Sequence, residues 1–260
     1  MESTHTKIRT TSIHKAFYEN GAHLSALAGV DFHASDREFV SIIGPSGCGK
    51  STLLNIIAGL DQPDAGSVEL YGATTAQRLG SVGYMQQKDL LMPWRSVLDN
   101  CILGLEIQGV PRGEARTRAR ALLAPFGLEG FEGYLPHALS GGMRQRAAFL
   151  RTVLLDHDVV LLDEPFGALD ALTRSHMQSW LLGLREDLKK TIVLVTHDVD
   201  EAVLLSDRVY VLTASPGTVR TVAEVKLPKP RSMEMVGDSA FVKLKLELLS
   251  ALGSLGSRVR

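Results

Sequence analysis

The stretch Gly44-Pro45-Ser46-Gly47-Cys48-Gly49-Lys50-Ser51-Thr52 decides how the rest of the chain is interpreted. An apolar run at 39–43 precedes it, and a helical pattern from Ser51 to Leu60 follows it. Strand, glycine-rich loop and helix are the context that the pattern G-x-x-x-x-G-K-[ST] requires. In such a loop, successive backbone N–H groups and the helix N-terminus attract phosphate oxygens. The stretch therefore predicts a site for a nucleoside triphosphate.

Two side chains of this loop are expected to have separate tasks. Lys50 is expected to reach the β- and γ-phosphates of the nucleotide, and the Ser51 hydroxyl to bind Mg²⁺. The alternative is a glycine-rich turn that matches the pattern by chance, and the strand and helix on the correct sides argue against it. We therefore prefer a phosphate site to a structural turn.

Composition limits the class of protein. The chain has 260 residues, enough for one large α/β domain or for a core with a sub-domain. Its formal net charge of -1 provides no overall basic field that would favour nucleic acid. The two cysteines, Cys48 and Cys101, are too few for a disulfide framework, which fits a reducing compartment. We expect neither a signal peptide nor a membrane-spanning helix, because no apolar run approaches the ~20 residues that cross a bilayer.

The first part of the chain has the pattern of strands, at 8–13, 28–32 and 38–43, separated by polar turns. Phe17 is expected just after the first of these strands. An exposed aromatic ring beside a turn can stack on a nucleobase, a contact worth ~1–3 kcal/mol. Packing against the sheet is the alternative, and the residues alone do not decide between the two.

A buried strand carries the next candidate residues. The run Val159–Asp163 is apolar until its last residue, as strands buried on both faces of a parallel sheet are. Ligands of open α/β sheets bind at the carboxyl ends of the strands. Asp163 is therefore expected to hold Mg²⁺, directly or through water, and Glu164 to orient and deprotonate an attacking water. His197 follows the similar run Thr191–Thr196, where it would contact a γ-phosphate.

A second helix start has the features of an anion site. Ser140, Gly141 and Gly142 introduce a helical run that continues to Arg151. A capped helix without a ligand is the alternative, because one nucleotide already fills the first loop.

The segment Leu90–Trp94 is apolar and aromatic, has no clear periodicity and contains a proline. Such a segment is either core or a docking surface, and we favour docking. The region 96–128 has a helical pattern, and its basic stretch 112–120 is interpreted as a solvated helix face rather than a nucleic-acid patch. Near the end of the chain, 238–252 is predicted to be an amphipathic helix.

In combination, these motifs resemble the nucleotide-binding subunit of an ATP-binding cassette (ABC) transporter. Gly44–Thr52 resembles the Walker A motif, Leu139–Met143 the family's signature sequence, and Val159–Glu164 Walker B with its catalytic glutamate. His197 resembles the switch histidine. The similarity covers most of the chain, and several motifs occur in the family's order.

Further positions are assigned by the same resemblance. Ala168-Leu169-Asp170 resembles the D-loop, and Phe17 stands where the adenine-stacking aromatic is expected. Gln87 stands where the Q-loop glutamine is expected. Gln86 precedes it, which leaves open which of the two serves, although the spacing to Pro93-Trp94 favours Gln87.

The fold class implied is α/β: a P-loop NTPase core with a mostly parallel sheet flanked by helices, an antiparallel β N-terminal part and a helical sub-domain. The ABC ATPase domain would span residues 7–230, with the helical sub-domain inserted at about 90–157. Residues 231–260 would form a C-terminal helical tail.

The resemblance implies an ATPase that uses ATP and Mg²⁺. Glu164 would be the general base, and His197, Gln87 and Lys50 would assist it. The residues implied to hold Mg²⁺ are Ser51, Gln87 and Asp163. The residues implied to contact ATP are Phe17, Gly44, Pro45, Ser46, Gly47, Cys48, Gly49, Lys50, Ser51, Thr52, Gln87, Ser140, Gly141, Gly142 and Asp170.

The same resemblance implies partners. A second copy or a paralogue of the cassette would cover the ATP with its own signature loop. Transmembrane permease subunits would dock near Leu90–Trp94, a solute-binding protein would belong to the same system, and no nucleic acid is implied. The cassette would then lie peripherally on the cytoplasmic side of the cell membrane.

The stretch 91–100 and the tail from Leu227 to Ser232 resemble the nitrate/sulfonate/taurine-type importers, a group that includes uptake systems for pyrimidine and vitamin precursors. The expected function is therefore import of a small solute. An exporter's cassette and a soluble ABC ATPase acting on nucleic acid or ribosomes stay open as alternatives. A P-loop kinase would have no use for the signature residues. The sequence does not identify the solute.

Overall fold

The computed structural model describes residues 6–19, 22–74 and 76–253. Within these ranges the chain forms two sheets, one antiparallel and one mostly parallel. The α/β class expected from the sequence is confirmed.

The antiparallel sheet has the strand order β2-β1-β4-β5. Its strands are β1 (Thr6–Glu19), β2 (Ala22–Ser35), β4 (Ala65–Leu70) and β5 (Ala73–Thr74). The strand expected at 8–13 is too short, and Phe17 lies within β1 rather than after it, paired with Leu24. The sequence pattern does not reveal this extension, because polar residues follow Ile13. The extension forms nevertheless, because the backbone hydrogen bonds to β2 do not require apolar alternation.

The second sheet has the order β10-β9-β3-β8-β7-β6. Its strands are β3 (Phe39–Ile43), β6 (Gly83–Met85), β7 (Val159–Asp163), β8 (Thr191–Thr196), β9 (Arg208–Leu212) and β10 (Val219–Glu224). All neighbours pair in parallel except β9 and β10. Every residue of β3, β7 and β8 is buried, which explains their unbroken apolar sequences.

The helices are α1 (Lys50–Ala58), α2 (Val97–Cys101), α3 (Leu103–Ile107), α4 (Arg112–Leu123), α5 (Gly141–Val153), α6 (Ala171–Leu188), α7 (Val199–Leu205) and α8 (Ser239–Gly253). Helices α2 to α5 lie in sequence between β6 and β7. Among the described residues, none of the helices is long and apolar enough to span a bilayer.

The helical pattern expected at 96–128 is confirmed, and three separate helices occupy it. A first break lies at Ile102, which ends α2 and begins α3. A second follows α3, where Gly109 adopts a φ of 81° and Pro111 caps α4. Neither a left-handed glycine nor a proline continues a helix.

Apolar side chains fill both faces of the parallel sheet. Helix α1 and the antiparallel sheet cover one face, with Leu53 and Ile57 against Val40 and Val195. Helices α2 to α6 cover much of the other face. The loops after β3, β7 and β8 leave the sheet at the same edge, because these strands are parallel neighbours.

The C-terminal helix packs on the same core and is amphipathic, as predicted. On α8, Phe241 and Leu248 are buried against α7 and β9, and we call this group the tail cluster. Arg231, also buried, donates hydrogen bonds to the carbonyls of Leu204 and Val225 and so ties the approach to α8 onto the core. Leu246 points away from the core and is 59 % exposed.

We predict that Phe241→Ala lowers the free energy of unfolding by about 3–5 kcal/mol, because it removes a fully buried ring and leaves a cavity. The matched control on the same helix is Leu246→Ala, which should change stability by no more than about 0.5 kcal/mol. Urea unfolding of both variants measures the difference. Equal effects would show that α8 does not pack as described.

Candidate functional site

The loop between β3 and α1 has a backbone that needs its glycines. Gly47 and Gly49 have φ values of 77° and 91°, which L side chains rarely adopt. A Cβ on Gly49 would also lie 2.6 Å from Leu27 Cδ2 and 2.8 Å from the carbonyl oxygen of Ala26. Two of the three predicted glycines of the pattern are therefore required by conformation, and Gly49 by space as well.

Lys50 is 6 % exposed, and its ammonium group lies inside the loop. Nζ donates to the carbonyl oxygens of Gly44 at 2.9 Å and of Pro45 at 3.0 Å. Both acceptors are uncharged, so the ammonium keeps its full charge for an incoming anion. Burial makes that charge more effective, because the electrostatic energy of a pair rises as water is excluded.

Ser51 and Asp163 bring oxygen ligands together beside the loop. The Ser51 hydroxyl donates to Asp163 Oδ1 at 3.0 Å, although the residues are far apart in sequence. Burial raises the pKa of the Asp163 carboxyl, and the hydrogen bond from Ser51 opposes that rise. A hydroxyl and a carboxylate are ligands that Mg²⁺ prefers. These residues therefore fit a magnesium ion that would accompany the triphosphate.

Tyr84 on β6 is a site residue that sequence reasoning missed. Its hydroxyl donates to Asn55 Oδ1 at 2.9 Å and lies 3.4 Å from Asp163 Oδ2. Burial raises the pKa of Tyr84, so the phenol stays protonated, and its single proton is shared between Asn55 Oδ1 and the more distant Asp163 Oδ2. The sequence feature that could have identified it is a polar side chain in the short strand β6, which pairs with β7, the strand that ends in Asp163.

Glu164 is the centre of a second group of side chains. Gln87 donates from Nε2 to Glu164 Oε2 at 3.1 Å, and His197 Nδ1 lies 3.4 Å from the same oxygen. The backbone of Glu164 has a φ of 45°, a conformation that costs of the order of 1–3 kcal/mol and is common at functional sites. Of the two neighbouring glutamines, the structure places Gln87 at the carboxylate, whereas Gln86 lines a groove with Leu90.

The second predicted helix start, at Ser140–Gly142, has the expected cap, but within the described residues it is not hydrogen-bonded to the phosphate loop. Ser140 caps α5, accepting a hydrogen bond from the N–H of Met143 at 3.2 Å. A Cβ on Gly142 would lie 3.0 Å from Thr173 Cγ2, so this glycine allows α5 to approach α6 closely. In the described ranges, no hydrogen bond joins Ser140–Gly142 to the loop at 44–52.

Asp170 and Phe17 are the remaining predicted residues. Asp170 caps α6 by accepting from the N–H of Thr173 at 3.0 Å, and this bond lowers the pKa of Asp170. Phe17 is 39 % exposed, and Lys15 Nζ lies 5.4 Å from the centre of its ring. The ring is accessible for stacking, and the contact with Lys15 leaves the packing alternative open.

The segment Leu90–Trp94 has no regular secondary structure, as predicted. Leu91 is buried, whereas Leu90 is exposed and Trp94 is 75 % exposed. Asn100, which sequence reasoning missed, is buried and accepts from the N–H of Met92 at 2.7 Å. The segment is therefore a fixed surface that presents large apolar side chains.

A buried carboxyl lies below His197. Glu201 on α7 is 3 % exposed and accepts a hydrogen bond from the Thr196 hydroxyl. The same hydroxyl accepts from the N–H of Asp198 at 3.0 Å, so the turn that carries His197 rests on this carboxyl. Burial raises the pKa of Glu201 to about 7, and the charge of Asp198 adds to the effect, whereas Thr196 and Arg174 oppose it.

Comparison with known proteins gives consistent matches. Residues 27–167 match the family model described as ABC transporter. The chain is 46 % identical to the formylaminopyrimidine import ATP-binding protein of Halalkalibacterium halodurans over 76 % of this chain and 77 % of that protein. It is 43 % identical to the taurine import ATP-binding protein of Rhizobium johnstonii over 86 % of this chain and 84 % of that protein.

Among solved structures, the chain resembles the dimeric, post-hydrolysis state of an ATP-binding cassette bound to ADP and Pi. The TM-score is 0.73 at 32 % identity, with 85 % of this chain and 100 % of that chain covered.

We predict that Glu201→Gln stabilises the protein increasingly as pH rises. The pKa of Glu201 is raised from 4.5 to about 7, so the wild type loses stability across that window, where the unfolded chain ionises first. The relative gain of the variant should approach ~1.4 kcal/mol per pH unit. Urea unfolding from about pH 5 to about pH 8 tests it, with exposed Glu129→Gln as the control. A pH-independent difference would contradict the burial of a protonated carboxyl.

Proposed function

Because the chain belongs to the ABC transporter family and is an ATPase, we propose that it powers the import of a small solute through separate membrane permease subunits. The observation that carries the proposal is the similarity, at more than two fifths identity over most of the chain, to proteins named as import ATP-binding subunits. The arrangement of the site supports ATP hydrolysis as the reaction that drives it.

Hydrolysis of ATP at this site requires little covalent chemistry from the protein, because phosphoryl transfer depends mainly on positioning and charge. Lys50 and the loop amides hold the phosphates and neutralise their charge. Glu164 accepts the proton of the attacking water, and Gln87 and His197, which both contact its carboxylate, orient that water. Bound Mg²⁺ would neutralise charge on the phosphates, held by Ser51, Asp163 and the side-chain oxygen of Gln87.

The ATP site is completed by a second cassette. Ser140–Gly142 form a capped helix start that is suited to an anion, yet they make no hydrogen bond to the phosphate loop of their own chain within the described ranges. A head-to-tail pair, formed with a second copy or a paralogue, would place this helix start over the partner's ATP, together with Asp170. The similarity to a cassette that was solved as a dimer supports this arrangement.

The permease docks at the segment Leu90–Trp94. Leu90 and Met92 line a groove with Leu103 and Ile107, and both Ile107 and the nearby Trp94 are exposed. Large exposed apolar side chains on a fixed loop are characteristic of an interaction surface. The cassette would then lie peripherally on the cytoplasmic side of the cell membrane and work with a solute-binding protein. The solute belongs to the nitrate/sulfonate/taurine or pyrimidine/vitamin-precursor class.

We predict that Glu164→Gln lowers ATP turnover by roughly 10²–10⁴-fold, because the general base is lost. ATP affinity should stay intact, since the phosphate loop is unchanged. The trapped nucleotide should hold two cassettes together, which light scattering after gel filtration with and without ATP measures. The neighbouring Gln86→Ala should leave turnover unaffected. Normal turnover in the Glu164 variant would exclude this residue as the base.

The import function is tested by reconstitution. The chain is co-expressed with a candidate permease of the sulfonate/taurine import class, and the purified complex is placed in vesicles with the solute-binding protein of that system. We expect ATPase activity to rise when the binding protein carries its solute. Labelled sulfonate, taurine or formylaminopyrimidine should move from the side of the membrane that faces the binding protein to the side where ATP is hydrolysed. Transport in the other direction would indicate an exporter. Stimulation by RNA or ribosomes instead of permease would support the soluble ATPase.

A further inference from the structure

Helix α5 connects two regions that the proposed function treats separately. It begins after Ser140, the cap of the signature loop, and ends at Val153. Its 13 residues span about 20 Å. Near the end of the helix, Arg151 contacts the start of the segment Leu90–Trp94, which we call the docking segment. A single rigid helix therefore contacts both the signature loop and the docking segment.

Arg151 holds the docking segment with a two-pronged contact. Nη1 donates to the carbonyl oxygen of Leu90 at 2.7 Å, and Nη2 to that of Asp89 at 2.6 Å. The bond to Asp89 is partly buried and the bond to Leu90 is exposed, and burial lowers the pKa of Arg151. Leu90 itself has a φ of 47°, so its carbonyl is held in a conformation that the chain would not choose alone.

The first turn of the same helix contacts Asp89, the residue that precedes this segment. Arg144 Nη1 donates to the carbonyl oxygen of Leu139 at 2.8 Å, and Nε lies 3.3 Å from Asp89 Oδ2. Both ends of α5 are therefore bonded to Asp89 or its neighbour, and the first turn is bonded to the residue that precedes the signature serine.

Asn100 makes the rest of the segment rigid. Its amide group donates to the carbonyl oxygens of Met92 at 3.1 Å, Arg95 at 2.9 Å and Ser96 at 3.0 Å. Together with the N–H of Met92, these contacts connect the segment to α2. When Leu90–Trp94 is displaced, these bonds make the segment move as a unit instead of deforming internally.

We propose that Arg151 is a positioning residue that couples the docking segment Leu90–Trp94 to the signature residues Ser140–Gly142 through α5. A partner that presses on the docking segment moves the Asp89–Leu90 carbonyls, and Arg151 transfers that movement to the helix whose start covers ATP in the second cassette. The permease side of this inference rests on the proposed function. The ATP side rests on the paired cassettes of the same proposal but needs no permease, because the coupling must act equally in the reverse direction, from ATP to the docking segment.

Arg151→Lys is the variant that separates coupling from charge. Lysine keeps the positive charge and a long side chain, but a single ammonium cannot span two carbonyls as a planar guanidinium does. The matched control is Arg118→Lys, on α4 in the same helical region, where Arg118 forms only an exposed pair with Glu114. If Arg151→Lys does not fold, Arg144→Met, which removes the charge that pairs with Asp89, is measured in its place.

The first measurement uses the full chain without a permease. In the Glu164→Gln background, amide exchange at 90–94 is compared with and without ATP. We expect ATP to change this exchange by at least about threefold in the parent and in Arg118→Lys, and to leave it unchanged in Arg151→Lys. An equal ATP effect in Arg151→Lys would overturn the coupling, as would the lack of any ATP effect in the parent.

The second measurement uses the reconstituted transporter with wild-type Glu164. Arg151→Lys should keep the kcat and KM of the isolated cassette within about twofold, and should lose about threefold or more of the stimulation by permease and loaded binding protein. Equal loss of basal and stimulated activity would indicate a merely structural role and overturn the inference. ATP-dependent exchange at 90–94 without stimulation by any permease would instead refute the proposed function and leave the coupling supported.

Discussion

Parallel pairing of three neighbouring strands is the constraint on which the site depends. Ile43 at the end of β3 pairs with Thr196 at the end of β8, and Asp163 at the end of β7 pairs with Val195. The phosphate loop, Glu164 and His197 follow these strand ends directly, so the register of the sheet determines their separation. The sheet in turn is fixed by apolar burial on both faces, because a slip would move buried side chains out of their places.

Polar groups at this edge are buried in a way that would destabilise an ordinary fold. Lys50 and Asp163 are both almost inaccessible, and each is held by uncharged partners, the loop carbonyls for Lys50 and the hydroxyls of Ser51 and Tyr84 for Asp163. Buried groups that are satisfied only by neutral partners gain strongly from an anion or cation placed between them. The same sheet edge that costs stability in the free protein therefore provides affinity for the phosphates of ATP.

Sequence reasoning succeeded where chemistry and strand order coincide. Lys50, Glu164 and His197 could each be predicted because an apolar run precedes each motif and ends at the functional edge. Tyr84 could not be predicted, because its partners are distant in sequence. Asn100 could not either, because its partners lie nearby but an asparagine in a helical pattern is not specific for this role. The helical pattern at 96–128 is confirmed, but it did not reveal the breaks between the three helices, because side-chain periodicity continues across backbone positions that end a helix.

The tail cluster has a consequence for how the molecule is made. Phe241 and Leu248 lie against α7 and against β9, the strand between β10 and β3, so this part of the interior is closed by a segment that is synthesised after both of them. While the ribosome still holds that segment, the apolar faces of α7 and β9 stay open to solvent and to chaperones. The interior around α7 and β9 therefore closes only after translation has passed α8.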